Sequence, residues 1–248
     1  KREHGFLWGP PGTGKTYTLG AMVSHYLCQR PTAKVLLLST TNVAVDLALI
    51  SVDEHLERLS ASNRVAARLR KKCLRIGNHF IASKYKKREH LLPTPDENLI
   101  RRLADLETKM PDPTDVVAYA AWKDQVKSLR SQIPNPIDRA QLAAMTTTGA
   151  AYSFEALYVR RPFDLVVFDE ASQASLAHAL ALAPLGRQVI FAGDDKQLDP
   201  VVQSEHPMAR KWLGRSMFVH KSERGTCLLN EQGRMEKSIC DVVGNVFY

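Results

Sequence analysis

The chain has 248 residues, with 34 Lys and Arg against 26 Asp and Glu, a formal net charge of +8, and 44% apolar residues. That composition fits one large α/β domain, or one domain carrying an insertion, and excludes disorder throughout. No apolar run approaches the ~20 residues of a membrane-spanning helix and no secretory signal is visible, so no membrane partner is expected.

In chain order, Phe6 to Trp8 is a short apolar run that reads as a buried strand. It leads into Gly9-Pro10-Pro11-Gly12-Thr13-Gly14-Lys15-Thr16, which fits G-x-x-x-x-G-K-[ST], and a helix is predicted over residues 14–29. Strand, glycine loop and helix in that order make a phosphate cradle. The glycines let backbone N–H groups converge on phosphate oxygens, and the helix N-terminus adds partial positive charge. Lys15 is predicted to bridge the β- and γ-phosphates of ATP, and the Thr16 hydroxyl to face Mg²⁺. A second strand is predicted over Lys34 to Thr40 and a second helix over Asn42 to Leu59. Strands alternating with helices give a parallel sheet, whose strand ends carry the chemistry.

Residues 60–139 break the alternation. Ten basic residues between positions 61 and 90 face one acid, Glu89, a local net of +9, whereas the rest of the chain holds 24 basic against 25 acidic residues. The entire positive excess thus lies in one segment, either a polyanion-facing patch or a solvated face. Glu97 to Met110 places Leu99, Ile100, Leu103 and Leu106 on one helical face; Pro111-Asp112-Pro113 stops that helix, and Thr114-Asp115 can cap a second one through Ser131. Pro134 and Pro136 close the excursion. The expected organisation is a sheet domain over 1–59 and 140–248, with 60–139 a basic helical insertion.

A third strand is predicted at Leu142 to Thr146, beginning the cluster Thr146-Thr147-Thr148. The fourth, Asp164 to Phe168, delivers Asp169 and Glu170 to its end. Asp169 is the candidate Mg²⁺ holder and Glu170 the base that orients and deprotonates an attacking water. The fifth, Gln188 to Ala192, ends in Gly193-Asp194-Asp195-Lys196-Gln197-Leu198-Asp199-Pro200, with Gln197 placed to contact a γ-phosphate and its water. Cys28, Cys73, Cys227 and Cys240 form no C-x-x-C pair, which predicts reduced thiols and a cytoplasmic location, or a nuclear one in a eukaryote.

Four segments together, GPPGTGKT, Ser39 to Asp46, FDEASQA and GDDKQLDP, resemble superfamily 1 helicases of the nonsense-mediated-decay (regulator of nonsense transcripts) branch. The resemblance spans about Gly5 to Tyr248 and implies the first RecA-like domain of such enzymes: a P-loop NTPase, ATP and Mg²⁺ as cofactors, and single-stranded RNA or DNA as partner. It implies that Thr41, Asn42, Thr146, Thr147 and Thr148 line the nucleic-acid backbone path, a role that small donors at strand ends suit. It further implies that Arg234, in Asn230-Glu231-Gln232-Gly233-Arg234-Met235, contacts the γ-phosphate. Gly233 stands where the family usually has a tyrosine that can stack on adenine, and a glycine supplies no ring for that contact. Within these 248 residues neither an adenine-recognition glutamine segment before Gly5 nor a second RecA-like domain is expected. The chain is therefore expected to be a fragment, monomeric, with weak or no turnover alone. Two other readings are a ring-forming AAA-type remodelling ATPase, which shares GPPGTGKT, and a nucleic-acid clamp with little turnover.

Overall fold

The structure, a computed structural model, describes residues 3–93, 97–133, 137–222 and 224–247; Pro134 and Pro136 lie outside them. The elements run β1 (Glu3–Trp8), α1 (Lys15–Gln29), β2 (Val35–Ser39), α2 (Asn42–Ser60), α3 (Arg64–Arg70), β3 (Cys73–Arg75), α4 (Glu97–Thr108) and α5 (Val116–Arg130). Then follow β4 (Leu142–Thr146), α6 (Thr147–Tyr152), α7 (Phe154–Arg160), β5 (Phe163–Phe168), α8 (Leu176–Leu182), β6 (Gly186–Gly193), α9 (Pro207–Leu213), β7 (Thr226–Leu228) and α10 (Lys237–Phe247).

Among the described residues seven strands make one parallel sheet, in the order β3-β4-β2-β5-β6-β1-β7. This is a RecA-like α/β sheet covered by helices on both faces. Strands buried on both sides must be apolar at every position, which is why β2 reads Val-Leu-Leu-Leu-Ser and is buried throughout. Its alternation feeds two cores: Val35 and Leu37 pack with Leu19, Val23 and Leu27 of α1 and Leu49, Val52 and Leu56 of α2. Leu36 and Leu38 pack on the opposite face with Met145, Phe168, Leu157 and Leu182.

Residues 60–139 are more deeply built in than a run of surface helices. Leu99, Ile100 and Leu103 of α4 and Leu129 of α5 join the α1–α2 core, and β3 adds a seventh strand by pairing with β4 in register Cys73↔Leu142. Three residues between charged neighbours carry no strand pattern, so the sequence reading missed β3, as it missed β7. Asp115 caps α5, accepting from Ala118 N at 3.0 Å, as its position before the apolar run required. No helix of the described residues is long and apolar enough to cross a membrane.

Helices α1 and α2 cross tightly at Gly20. A Cβ there would lie 2.2 Å from Ser51 Oγ and 2.9 Å from the Ser51 carbonyl carbon, while Ser51 Oγ donates to Thr16 O at 3.1 Å. Alanine is the better helix former by about 1 kcal/mol, but overpacking costs about 1–3 kcal/mol and the Ser51 backbone has nowhere to move. Gly20→Ala is therefore expected to lower the thermal unfolding midpoint, measured by circular dichroism; an unchanged midpoint would show that the two helices part freely.

Candidate nucleotide site and nucleic-acid groove

The chemistry-bearing residues gather at the C-terminal ends of β1, β5 and β6, where a parallel sheet opens. After Trp8 the chain is tied to β6 by Gly9 N donating to Gly193 O at 3.1 Å, then turns through Thr13 Oγ1 to Pro10 O at 2.8 Å. Gly12 and Gly14 have φ of +83° and +75°, a left-handed backbone that favours glycine. A Cβ at Gly12 would also come within 2.8 Å of Arg234 Cβ, and Gly233 N donates to Gly12 O at 3.1 Å. The segment 230–235 thus packs directly on the loop, which brings Arg234 to its rim, exposed to solvent.

Lys15 is buried, with Nζ 3.5 Å from Glu170 Oε2. Adjacent residues on a strand point to opposite faces, and the chain solves this at Glu170, whose φ of +50° turns the backbone so that its carboxylate comes to Lys15. Asp169 stays beneath it, 2% exposed, accepting from Glu170 N at 3.0 Å. Burial first, then the Glu170 charge, pushes the Asp169 carboxyl up to about 7, against the pull of Lys15. Glu170 Oε2 is buried and has no hydrogen-bond partner. A buried orphan oxygen facing an ammonium, beside a glycine loop with no room for a Cβ at Gly12, is a donor and acceptor set that suits a phosphate chain with its divalent ion. No cluster of three or more His, Cys, Asp or Glu among the described residues is arranged to hold a metal unaided.

Gln197 is held by a residue that sequence reasoning quoted but did not single out. Asp194, wholly buried, accepts from Gln197 Nε2 at 2.8 Å, from Lys196 N at 3.1 Å and from Trp8 Nε1 at 3.1 Å. One carboxylate thereby joins the residue before the glycine loop to the candidate sensor. Lys221 sits over the Trp8 ring, 4.2 Å from its centre, and pairs with Asp195.

A second concavity, about 620 Å³, lies at the ends of β2, β3 and β4. Thr41, Asn42, Thr146 and Thr148 all line it, together with Thr40, Arg75, Asn78 and His79. Thr147 does not: as the first residue of α6 it turns inward and is 2% exposed. Thr41 and Thr146 also cap α2 and α6, accepting from Ala44 N at 3.2 Å and Gly149 N at 3.0 Å.

The basic segment is partly neutralised from within. Arg70 pairs with Asp53 at 2.7 Å and Glu57 at 3.1 Å, Arg88 with Glu54 at 2.8 Å, and the buried Arg75 with Asp46 at 2.8 Å, so α2 supplies the acids. Burial alone would raise the Asp53 carboxyl, but hydrogen bonds from His90 and Arg70 outweigh it and hold it below the usual carboxylate range. Arg64, Arg68, Lys71, Lys72, Lys86 and Lys87 remain exposed. The aromatic side chains have structural tasks: Phe80 is core, and Trp122 donates to Leu106 O at 2.7 Å, fastening α5 to α4.

The profile of the AAA domain family (AAA_11) matches residues 1–115 and 117–205. The chain is 25% identical over 252 residues to the DNA replication ATP-dependent helicase/nuclease dna2 of Schizosaccharomyces pombe, covering 99% of this chain and 14% of that protein. It is 28% identical over 249 residues to a regulator of nonsense transcripts 1 homolog of Arabidopsis thaliana, covering 98% and 18%. It is 27% identical over 282 residues to an uncharacterized ATP-dependent helicase of Methanocaldococcus jannaschii, covering 100% and 42%. The chain therefore spans less than half the length of each of these relatives.

Proposed function

The chain belongs to the AAA domain family, with the pattern of the first RecA-like domain of superfamily 1 helicases, and from that premise we propose that it is the ATP-binding part of a helicase or translocase acting on single-stranded RNA or DNA. The observation that carries the reading is the Lys15–Glu170 pair with its orphan carboxylate oxygen beneath the glycine loop. The backbone of residues 9–16 would hold the phosphates, Lys15 the β- and γ-phosphate charge, and Thr16 with Asp169 the Mg²⁺. Bound Mg–ATP supplies the phosphoanhydride bond whose hydrolysis drives movement. Glu170 would orient a water and take its proton, Gln197 would be kept in place by Asp194, and Arg234 would stabilise developing charge from the rim. Thr41, Asn42, Thr146 and Thr148 would contact the polymer backbone in the groove, leaving Thr147 a structural role.

In this reading residues 1–59 and 140–248 form the ATP-binding body and 60–139 an accessory element. The chain works as a monomer, in the cytoplasm or, in a eukaryote, the nucleus, and closes against a second RecA-like domain of its parent protein. Turnover stimulated by single strands is expected from the longest reading frame containing this sequence and little from the 248 residues alone. Stimulated hydrolysis by neither, with nucleic acid still bound, would favour the clamp. Thr148 is exposed in the groove, so Thr148→Glu is expected to weaken binding of oligo-uridine or oligo-thymidine by about tenfold through repulsion of phosphates, as read by fluorescence anisotropy. Wild-type affinity in that variant would remove the groove from the polymer path.

A further inference from the structure

The loop Ile76-Gly77-Asn78-His79-Phe80 forms one wall of the groove, with its first four residues lining it. Four of its five carbonyls are held by two guanidiniums. Arg75 donates to Ile76 O at 2.5 Å and His79 O at 2.7 Å; Arg130 donates to Asn78 O and, at 3.1 Å, to Phe80 O. Arg75 belongs to β3, but Arg130 is the last residue of α5, in the stretch that interrupts the strand–helix alternation. Its Nη2 also meets Glu107 Oε1 of α4 at 3.0 Å, its guanidinium lies 5.6 Å from the centre of the Phe80 ring, and Glu107 Oε2 accepts from Ala82 N at 3.0 Å.

Burial pushes the Arg130 pKa down and that of Glu107 up, the mark of charges kept at a desolvation cost. An apolar pair in their place is commonly neutral or better for stability, but it cannot grip two carbonyls in a fixed geometry. We infer that Arg130 is a positioning residue for the nucleic-acid groove: through the loop 77–80 it couples the α4–α5 hairpin to the wall that a single strand meets. The inference rests on the groove's being the polymer path. In the sheet, β4 and β2 separate β3, which leads into this wall, from β5, β6 and β1, whose ends carry the candidate nucleotide site.

The test uses the 248-residue chain with labelled oligo-uridine and oligo-thymidine, and a fluorescent ADP analogue as control. Arg130→Met is expected to weaken polymer binding by about tenfold, the cost of losing a charge-assisted grip, with nucleotide affinity unchanged and amide exchange of residues 77–80 accelerated. Arg130→Lys, which keeps the charge without the fork, is expected to recover part of the loss. If Arg130→Met does not fold, Glu107→Gln carries the test, with a smaller loss in the same direction and the same untouched nucleotide affinity. The inference is overturned if polymer affinity is unchanged, if nucleotide affinity falls equally, or if lysine restores nothing. Should the wild-type chain bind neither polymer, or Thr148→Glu bind normally, the groove reading falls and this inference with it. An impaired Thr148→Glu beside an unimpaired Arg130→Met sinks this inference alone.

Discussion

Lys15→Ala is expected to abolish ATP hydrolysis by the longest reading frame containing this chain, a loss of at least about 100-fold in turnover, since the preorganised cation proposed to meet the β- and γ-phosphates is gone. The same substitution removes the ammonium 3.5 Å from Glu170 and leaves two neighbouring carboxylates, one of them buried, with no cation to offset them. The nucleotide-free variant should therefore lose stability relative to wild type more at pH 8 than at pH 6, in thermal melts. Full hydrolysis by Lys15→Ala would sink the assignment of the loop, whatever the melts show.

The second large effect separates function from stability at one side chain. Unfolded, Asp169 titrates near 3.8; folded, burial and Glu170 push it up to about 7. Between those values the folded chain keeps a proton that the unfolded chain has released, so stability falls as pH rises through that window and the full penalty is present above it. Asp169→Asn cannot ionise. It is expected to melt higher than wild type at pH 8, by up to about 4 kcal/mol, with the advantage shrinking as pH falls towards 4. Adding Mg²⁺ and nucleotide should narrow the gap by stabilising wild type more than the variant, and hydrolysis by the variant in the longer protein should be lost. A variant less stable than wild type at pH 8 would contradict this electrostatic account.

Much of this was legible in the sequence because the informative strands are buried on both faces. β1, β2, β4, β5 and β6 show as apolar runs ending in glycine, hydroxyl or acidic residues, and the glycine loop sits between a strand and a helix as its mechanism requires. β3 and β7 are three residues each, too short to carry a pattern. Charge counting treated the arginines of 64–88 as one free patch, because the acids that meet Arg70, Arg75 and Arg88 lie 13 to 35 residues away on α2 and only the fold brings them together. Thr147 stood in a row with Thr146 and Thr148, and only the turn into α6 sends it inward. Asp194 looked like one more polar residue after a strand until its carboxylate was seen to join Trp8, Lys196 and Gln197.

The place of β1 between β6 and β7 bears on how the chain is made. β1 pairs in register Glu3↔Gln188 with β6 and Phe6↔Thr226 with β7, so both of its neighbours come from the last third of the chain. On a ribosome adding roughly 5–20 residues per second, this apolar strand waits on the order of ten seconds or more before either neighbour exists. α1 can dock on α2 early, but the glycine loop between β1 and α1 gains its anchor, Gly9 to Gly193, only when β6 arrives. Nucleotide affinity is thus acquired late in synthesis, and a nascent chain halted before β6 presents an unpaired hydrophobic edge to chaperones and to other copies of itself.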